Sequence, residues 1–274
     1  MKLDLKPYFV RQIAVPTDHG SWVFLISPLL IGLFAGGRWK LASLYLVLAA
    51  FAAFLMRQPV TVAVKAYAGR RPRRDLPAAR FWMVVYGAAA LLAVVGIVQQ
   101  GFAWVLVLAL PGVPVFAWHL WLVSRRAERR QAGVEILATG VLALAAPAAY
   151  WVGTGRLEAA GWWLLALTWL QSAASIVHAY LRLEQRELKE APRVPARLRM
   201  ARRALLYTSF NLAAVIGLGL SGVVSAWLWT PFALQWLETL YGAFRPAVGI
   251  KPVRIGSRQL LVSTLFTILF ILTW

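Results

Sequence analysis

The sequence predicts an all-helical protein that crosses a membrane nine times, and three observations carry that reading. Of its 274 residues, 61% are hydrophobic and only 14% are charged, which is more apolar surface than a soluble fold of this size can bury. The apolar residues fall in nine runs, most near the length at which a helix rising 1.5 Å per residue crosses about 30 Å of hydrocarbon. Finally, all but Arg38, Lys40 and Arg156 of the 29 Lys and Arg lie on one side of the spans so defined. Basic loops stay in the cytoplasm, so the N-terminus is inside and the C-terminus outside. A missed or surplus span would scramble that alternation.

The runs are 20–36, 39–56, 81–99, 102–123, 134–152, 160–181, 204–221, 223–241 and 258–274. The first ten residues hold no apolar stretch and no small-residue cleavage site, so the first run is expected to persist as a transmembrane helix rather than leave as a signal peptide. Trp22, Trp39, Trp82, Trp151, Trp162, Trp163, Trp227, Trp229 and Trp274 stand near run ends, as interfacial anchors do. Pro28, Pro111, Pro114, Pro147 and Pro231 lie inside runs, where each removes a backbone hydrogen bond and can kink its helix. Outer connections are short (Gly36-Gly37, Gln99 to Gly101, Ser221-Gly222), whereas the inner connections 57–80, 182–203 and 242–257 are long. Function tends to sit on loops held by a rigid scaffold, so the cytoplasmic face is the expected site face. No repeat or soluble domain interrupts the chain, and residues 1–274 read as one transmembrane domain.

Composition also excludes chemistry. With no cysteine there is no disulfide, thiolate zinc site, iron–sulfur cluster or cysteine nucleophile. The net charge of +19 is explained by topology and contact with anionic lipid, and no nucleic-acid partner is expected.

Several polar groups stand out. At the entry to the first run, Asp18 beside His19 can orient the imidazole and make a general base; alternatively, Thr17 or Asp18 caps the helix and His19 is interfacial. Lys65, Arg70 and Arg71 can hold an anion, or serve as positive-inside loop charges. Lys65 follows the apolar Val60 to Val64 rather than the arginine run, which suits a cavity. Gln171, Ser175, His178 and Arg182 recur every three or four residues and so share one helix face. Such a stripe is either a functional lining or hydrogen-bonding glue between helices. Glu135 opens the fifth run, where an acid also favours a helix N-terminus. Three histidines without a dense carboxylate cluster make a poor metal site.

Pro16-Thr17-Asp18-His19-Gly20-Ser21-Trp22 resembles the Pro-x-(Glu/Gln)-His-Gly-x-Trp opening of the YwiC-like family of bacterial membrane proteins. Pro28-Leu29-Leu30-Ile31-Gly32 continues the resemblance. The His178 to Glu187 region and Lys251-Pro252-Val253-Arg254-Ile255-Gly256 look like later family segments, and Glu135 stands where relatives carry an acid. Asp18 replaces the longer Glu or Gln, with one methylene less of reach. The resemblance runs through essentially the whole chain and implies a bacterial cytoplasmic membrane.

More distantly, the chain is similar to the UbiA-type intramembrane prenyltransferases, which also have nine helices with the N-terminus inside. That similarity implies a UbiA-like bundle with a cytoplasm-facing cavity for an isoprenoid or quinone-like lipid. In those enzymes two Asp-rich motifs, after helices two and six, hold a diphosphate through Mg²⁺. The corresponding places here read Gln58-Pro59-Val60-Thr61-Val62-Ala63-Val64-Lys65-Ala66 and His178-Ala179-Tyr180-Leu181-Arg182-Leu183-Glu184. Mg²⁺ needs oxygen ligands, commonly carboxylates, so neither metal nor other cofactor is expected, and Lys65, Arg70 and Arg182 would meet an anion directly. The candidate catalytic residues are Asp18 and His19. The candidate substrate-binding residues are Trp22, Gln58, Lys65, Arg70, Arg71, Glu135, Gln171, His178, Arg182, Lys251 and Arg254. The expected function is either a metal-independent UbiA-type transferase or a non-catalytic lipid-binding, transport or assembly protein. Membrane lipids are the expected partners; nothing indicates a protein partner.

Overall fold

The structure, a computed structural model, describes residues 8–16, 19–127 and 131–274. Among them every regular element is a helix: α1 (Arg11–Ala14), α2 (His19–Ala35), α3 (Leu41–Tyr67), α4 (Leu76–Gln99), α5 (Gly112–Ser124), α6 (Ala132–Ala143), α7 (Ala145–Thr154), α8 (Ala159–Arg186), α9 (Val194–Leu220), α10 (Trp229–Phe244) and α11 (Pro252–Thr273). Short 3-10 turns, Arg73–Asp75 and Ala103–Ala109, precede α4 and α5. Among the described residues seven stretches are long and apolar enough to cross a membrane: Leu41–Tyr67, Arg73–Gln99, Ala103–Ser124, Ala132–Thr154, Ala159–Arg186, Val194–Leu220 and Pro252–Thr273. Gly20–Ala35 is a shorter apolar helix. The protein is a polytopic helical membrane protein.

The helices outrun the apolar pattern at the basic end. α3 continues past Arg57 and through Pro59 because Val62, Ala63 and Ala66 still have a core to enter, formed with Ile13, Leu76, Ala78 and Ala79. The expected inner loop 57–80 is therefore largely helix, with Gln58 and Lys65 on α3. α8 likewise runs on to Arg186 and α9 starts at Val194, so the expected loop 182–203 shrinks to 187–193. The fifth run is broken at Leu144. The ring of Pro147 crowds the carbonyl four residues earlier, on Ala143, where α6 ends. The eighth run starts later than expected, at Trp229, after a turn through 221–228.

α2 stands inside the bundle, touching α3, α6, α7, α8 and α11. Small residues allow this. A Cβ on Gly32 would overlap the backbone of Ala146, and one on Gly153 would sit 3.0 Å from the Cα of Gly36, so α2 and α7 approach backbone to backbone. Thr267 of α11 hydrogen-bonds Ser27 of α2 at 2.6 Å. α8 is the most enclosed span, with 67% of its apolar stretch buried against at most 39% in the others. It packs on α6, α7, α9, α10 and α11. Two apolar clusters fill the end away from the basic loops. One gathers Tyr150, Trp151, Leu228, Phe232, Phe266 and Phe270 and the other Leu33, Leu46, Ile97 and Val152. The opposite end of α8 is left for polar groups.

Candidate functional site

The polar stripe of α8 turns inward, and Gln171, Ser175, His178, Arg182 and Gln185 are all buried. An apolar environment makes each of these groups costly unless it finds a partner, and α10 and α11 supply most of them. Gln235 of α10 donates through Nε2 to the carbonyl of Gln171 at 2.9 Å and to Ser175 Oγ at 3.1 Å. Gln171 donates to the same Ser175 hydroxyl at 3.1 Å, and Gln259 of α11 donates to the Ser175 carbonyl at 2.9 Å. Arg182 Nη1 donates to Gln185 Oε1 at 2.9 Å and to the carbonyls of Gly242 and Arg245 at 3.1 and 2.6 Å. Its charge thus meets the negative end of α10. Gln185 completes the clamp, donating to the Gly242 carbonyl at 3.0 Å and accepting from the Ala247 amide at 3.2 Å.

One turn further in, Glu238 of α10 and Arg258 of α11 form a bidentate pair at 2.6 and 2.7 Å. The Arg258 guanidinium carbon lies 4.0 Å from the centre of the Tyr241 ring. His178 Nε2 faces the same Glu238 carboxylate at 3.8 Å. Gly242 makes room for that imidazole, since a Cβ there would lie 2.8 Å from His178 Cε1.

Between these three helices lies a cavity of about 250 Å³. His178, Arg182, Glu238, Arg254 and Arg258 line its charged part; Ile250, Ile255 and Val262 line its apolar part; and Ser175, Gln235 and Gln259 also border it. The cavity offers anion recognition at Arg254, for whose side chain the described residues show no hydrogen bond or ion pair; His178 Nδ1 and Gln235 Oε1, on two lining residues, are buried without a partner among the described residues.

Of the residues expected from the sequence, His178, Arg182 and Arg254 line this cavity. Gln171 sits behind its wall, and Lys251 stands at the residue before α11 with no capping bond from its side chain. The others lie elsewhere. Gln58 donates to the Gln12 carbonyl at 2.7 Å, Arg70 to the Val123 carbonyl, and Arg71 pairs with Asp75 at 2.6 Å. Trp22 packs on Phe51 and Phe54, Lys65 lies in the last turn of α3, and Glu135 accepts a 2.8 Å bond from the Tyr180 hydroxyl. Asp18 and the side chain of His19 lie outside the described residues. The expected grouping across the first, second and sixth spans is thus divided, with α2 standing between α3 and α8.

Sequence reasoning passes over Glu238, Arg258, Gln235 and Gln185. Glu238 has a signal: it is one of ten acids in the chain and falls inside an apolar run, with Gln235 one turn before it. An ionisable residue in such a place marks a site by default. Arg258, at a run edge, reads as topology.

The stretches at which the UbiA likeness would place metal-binding aspartates, Gln58 to Ala66 and His178 to Glu184, hold Glu184 as their one carboxylate. One carboxylate among neutral and cationic side chains does not suit Mg²⁺, and among the described residues no group of three or more His, Asp or Glu is placed to hold a metal ion. No step is routed through one.

Fold and polar cluster together define a polytopic helical membrane protein with a buried polar site. A chain solved in a study of digeranylgeranylglyceryl phosphate synthase in membranes superposes with a TM-score of 0.60 over 98% of both chains, at 12% identity, which shows the fold alone. The sequence comparisons are narrower. The family model described as YwiC-like protein matches residues 15–150. Uncharacterized protein YwiC of Bacillus subtilis (strain 168) is 29% identical over 171 residues, covering 58% of this chain and 61% of that protein. Residues 15–150, with the Pro16 to Trp22 opening and Glu135 among them, are thus the part of the chain that is similar to the YwiC-like family.

Proposed function

We propose that the protein binds an isoprenoid or quinone-like lipid in the cytoplasmic half of a single nine-span domain, residues 1–274, in the bacterial cytoplasmic membrane. The N-terminus faces the cytoplasm and the C-terminus the outside. The polar head enters the cavity between α8, α10 and α11, and the tail runs among apolar helices. One observation carries this reading: a cavity lined by His178, Arg182, Glu238, Arg254 and Arg258 together with Ile250, Ile255 and Val262, at the basic end of the most buried span. Charges are rare in membrane helices and are retained where a ligand or a relay uses them. Gln171 and Lys251 support this cavity. Trp22 on α2, Gln58 and Lys65 on α3, and Arg70 and Arg71 after it stand apart from this cavity, and Glu135 on α6 meets α8 through Tyr180. In an enzymatic form of the reading, His19 is the acid/base and Asp18 its orienter.

Binding without chemistry is the second reading. It is favoured by the cationic and amide side chains at the positions of the aspartates in UbiA-type enzymes. Native mass spectrometry with lipid extraction tests the proposal on protein purified from its own membrane. The expected result is a co-purifying isoprenoid lipid that is lost in Arg254→Ala. Recovery of bulk phospholipid alone, unchanged by that substitution, overturns it. His19→Ala separates the two readings, because an enzyme loses turnover while retaining lipid.

A further inference from the structure

The charges around the cavity specify the head of its ligand. The lining carries one carboxylate, Glu238, and three guanidinium groups, Arg182, Arg254 and Arg258. Glu238 is spent on Arg258, which holds both its oxygens at 2.6 and 2.7 Å. Arg182 and Arg254 remain, two positive charges with no carboxylate of their own: neither forms an ion pair among the described residues.

These two arginines are held differently. Arg182 is 5% exposed, and its hydrogen bonds all leave through Nη1, to Gln185 Oε1 and the carbonyls of Gly242 and Arg245. Nε and Nη2 donate to nothing among the described residues. Unlike His178 Nδ1 and Gln235 Oε1, which are sealed off, both nitrogens retain accessible surface. A buried charged group whose N–H donors go unused is costly. With Nη1 anchored on α10, these donors are aimed before any ligand arrives, which lowers the cost of binding one. Arg254, the third residue of α11, is exposed and contributes its free guanidinium from the outer side.

We infer that the cavity between α8, α10 and α11 is an oxyanion site that takes the phosphate of a phosphomonoester between Arg182 and Arg254. A neutral head, such as a quinone ring, leaves both charges uncompensated where the dielectric is low. A phosphate monoester carries about −1.5 to −2 charge near pH 7 and three strong acceptor oxygens, enough for both guanidinium groups. Ile250, Ile255 and Val262 give the organic part of the ester an apolar wall. This deepens the lipid-binding reading and rests on it for that organic part. Lipid-borne and free phosphate present the same oxygens, and the test separates them.

The test is titration calorimetry of the full chain in maltoside micelles, which contain no phosphate, with geranyl monophosphate, geraniol and inorganic phosphate. The monophosphate should bind at least about tenfold more tightly than geraniol, the effect of one charge-assisted hydrogen bond. Arg182→Gln and Arg254→Ala should each remove most of that preference; the second, on an exposed side chain, serves if the first fails to fold. Arg203→Ala, which removes an exposed charge from α9, should leave it unchanged. Glu238→Gln, which removes the one carboxylate of the lining, should tighten monophosphate binding. Inorganic phosphate binding as tightly as the monophosphate supports the oxyanion site and makes free phosphate its ligand; weaker binding assigns it to the ester. Geraniol binding as tightly as the monophosphate, or a preference that survives Arg254→Ala or falls equally in Arg203→Ala, overturns the inference. If a native isoprenoid co-purifies and the preference is absent, only this inference falls. If neither geranyl compound binds and no isoprenoid co-purifies, the lipid-binding reading falls with it.

Discussion

Arg258 donates to both carboxylate oxygens of Glu238, Nε to Oε1 at 2.6 Å and Nη2 to Oε2 at 2.7 Å. The geometry is the fork-on-fork arrangement that gives arginine its advantage over lysine. The two ends differ in exposure: the Glu238 side chain is 12% exposed and that of Arg258 44%. Removing the arginine therefore strands an enclosed carboxylate. Arg258→Leu should destabilise the protein by about 1–3 kcal/mol, and Glu238→Leu in the same chain should restore part of that loss. Thermal unfolding of the wild type, both single variants and the double variant in one detergent measures the coupling. Additive losses would mean the pair contributes nothing beyond its separate side chains.

The contact of α2 with α7 is the tightest test of the bundle. A methyl group on Gly32 would collide with the Ala146 backbone, which cannot rotate away as a side chain can. Gly32→Ala should cost about 1–3 kcal/mol through overpacking. Gly217 of α9 has nothing within 4 Å of a built Cβ, so Gly217→Ala should be neutral or stabilising, by up to about 1 kcal/mol. Melting temperatures of the two variants should move in opposite directions or differ clearly in size.

Acid should weaken the turn between α7 and α8. Glu158, between two spans, accepts hydrogen bonds from the Tyr150 hydroxyl and from Arg156, and these hold its carboxyl below the usual carboxylate range. A carboxyl whose pKa is lower in the folded state contributes stability above its unfolded value of about 4.3, and loses it as pH falls through the folded value. Tyr150→Phe removes the larger cause. Its stability should therefore fall less steeply than that of the wild type between about pH 5 and pH 3, as read from melting temperatures across that range. Identical slopes would show that the Tyr150 bond does not govern the titration.

The topology can be read directly, because the chain has no cysteine to remove. Gln100→Cys lies in the short connection after α4, and Lys189→Cys lies between α8 and α9. With the N-terminus inside and nine spans, a membrane-impermeant maleimide should label Gln100→Cys in intact cells. It should label Lys189→Cys only after the membrane is opened. Labelling of both from outside would reverse or break the proposed alternation.

Class is legible in this sequence because it follows from an additive property. Each apolar run favours the bilayer on its own account, so summing along the chain is enough; the basic loops, which resist crossing, give the expected orientation that the labelling above tests. Helix ends are less legible: α3 and α8 continue beyond the apolar runs because Val62 and Ala66, or Arg182 and Gln185, find partners contributed by other helices. The site is half legible. The stripe of Gln171, Ser175, His178 and Arg182 follows from helical periodicity alone, so the amino-acid order suffices to place these four side chains on one face. Which helices the stripe meets does not follow from that order. Glu238 and Arg258 are 20 residues apart on different helices, and Lys65 and His178, which fold analogy would group, stand on helices separated by α2. Periodicity acts within a helix, where covalent geometry sets the spacing; the meeting of α8 with α10 and α11 depends on packing between helices, down to the missing side chain of Gly242, and only the tertiary structure decides it.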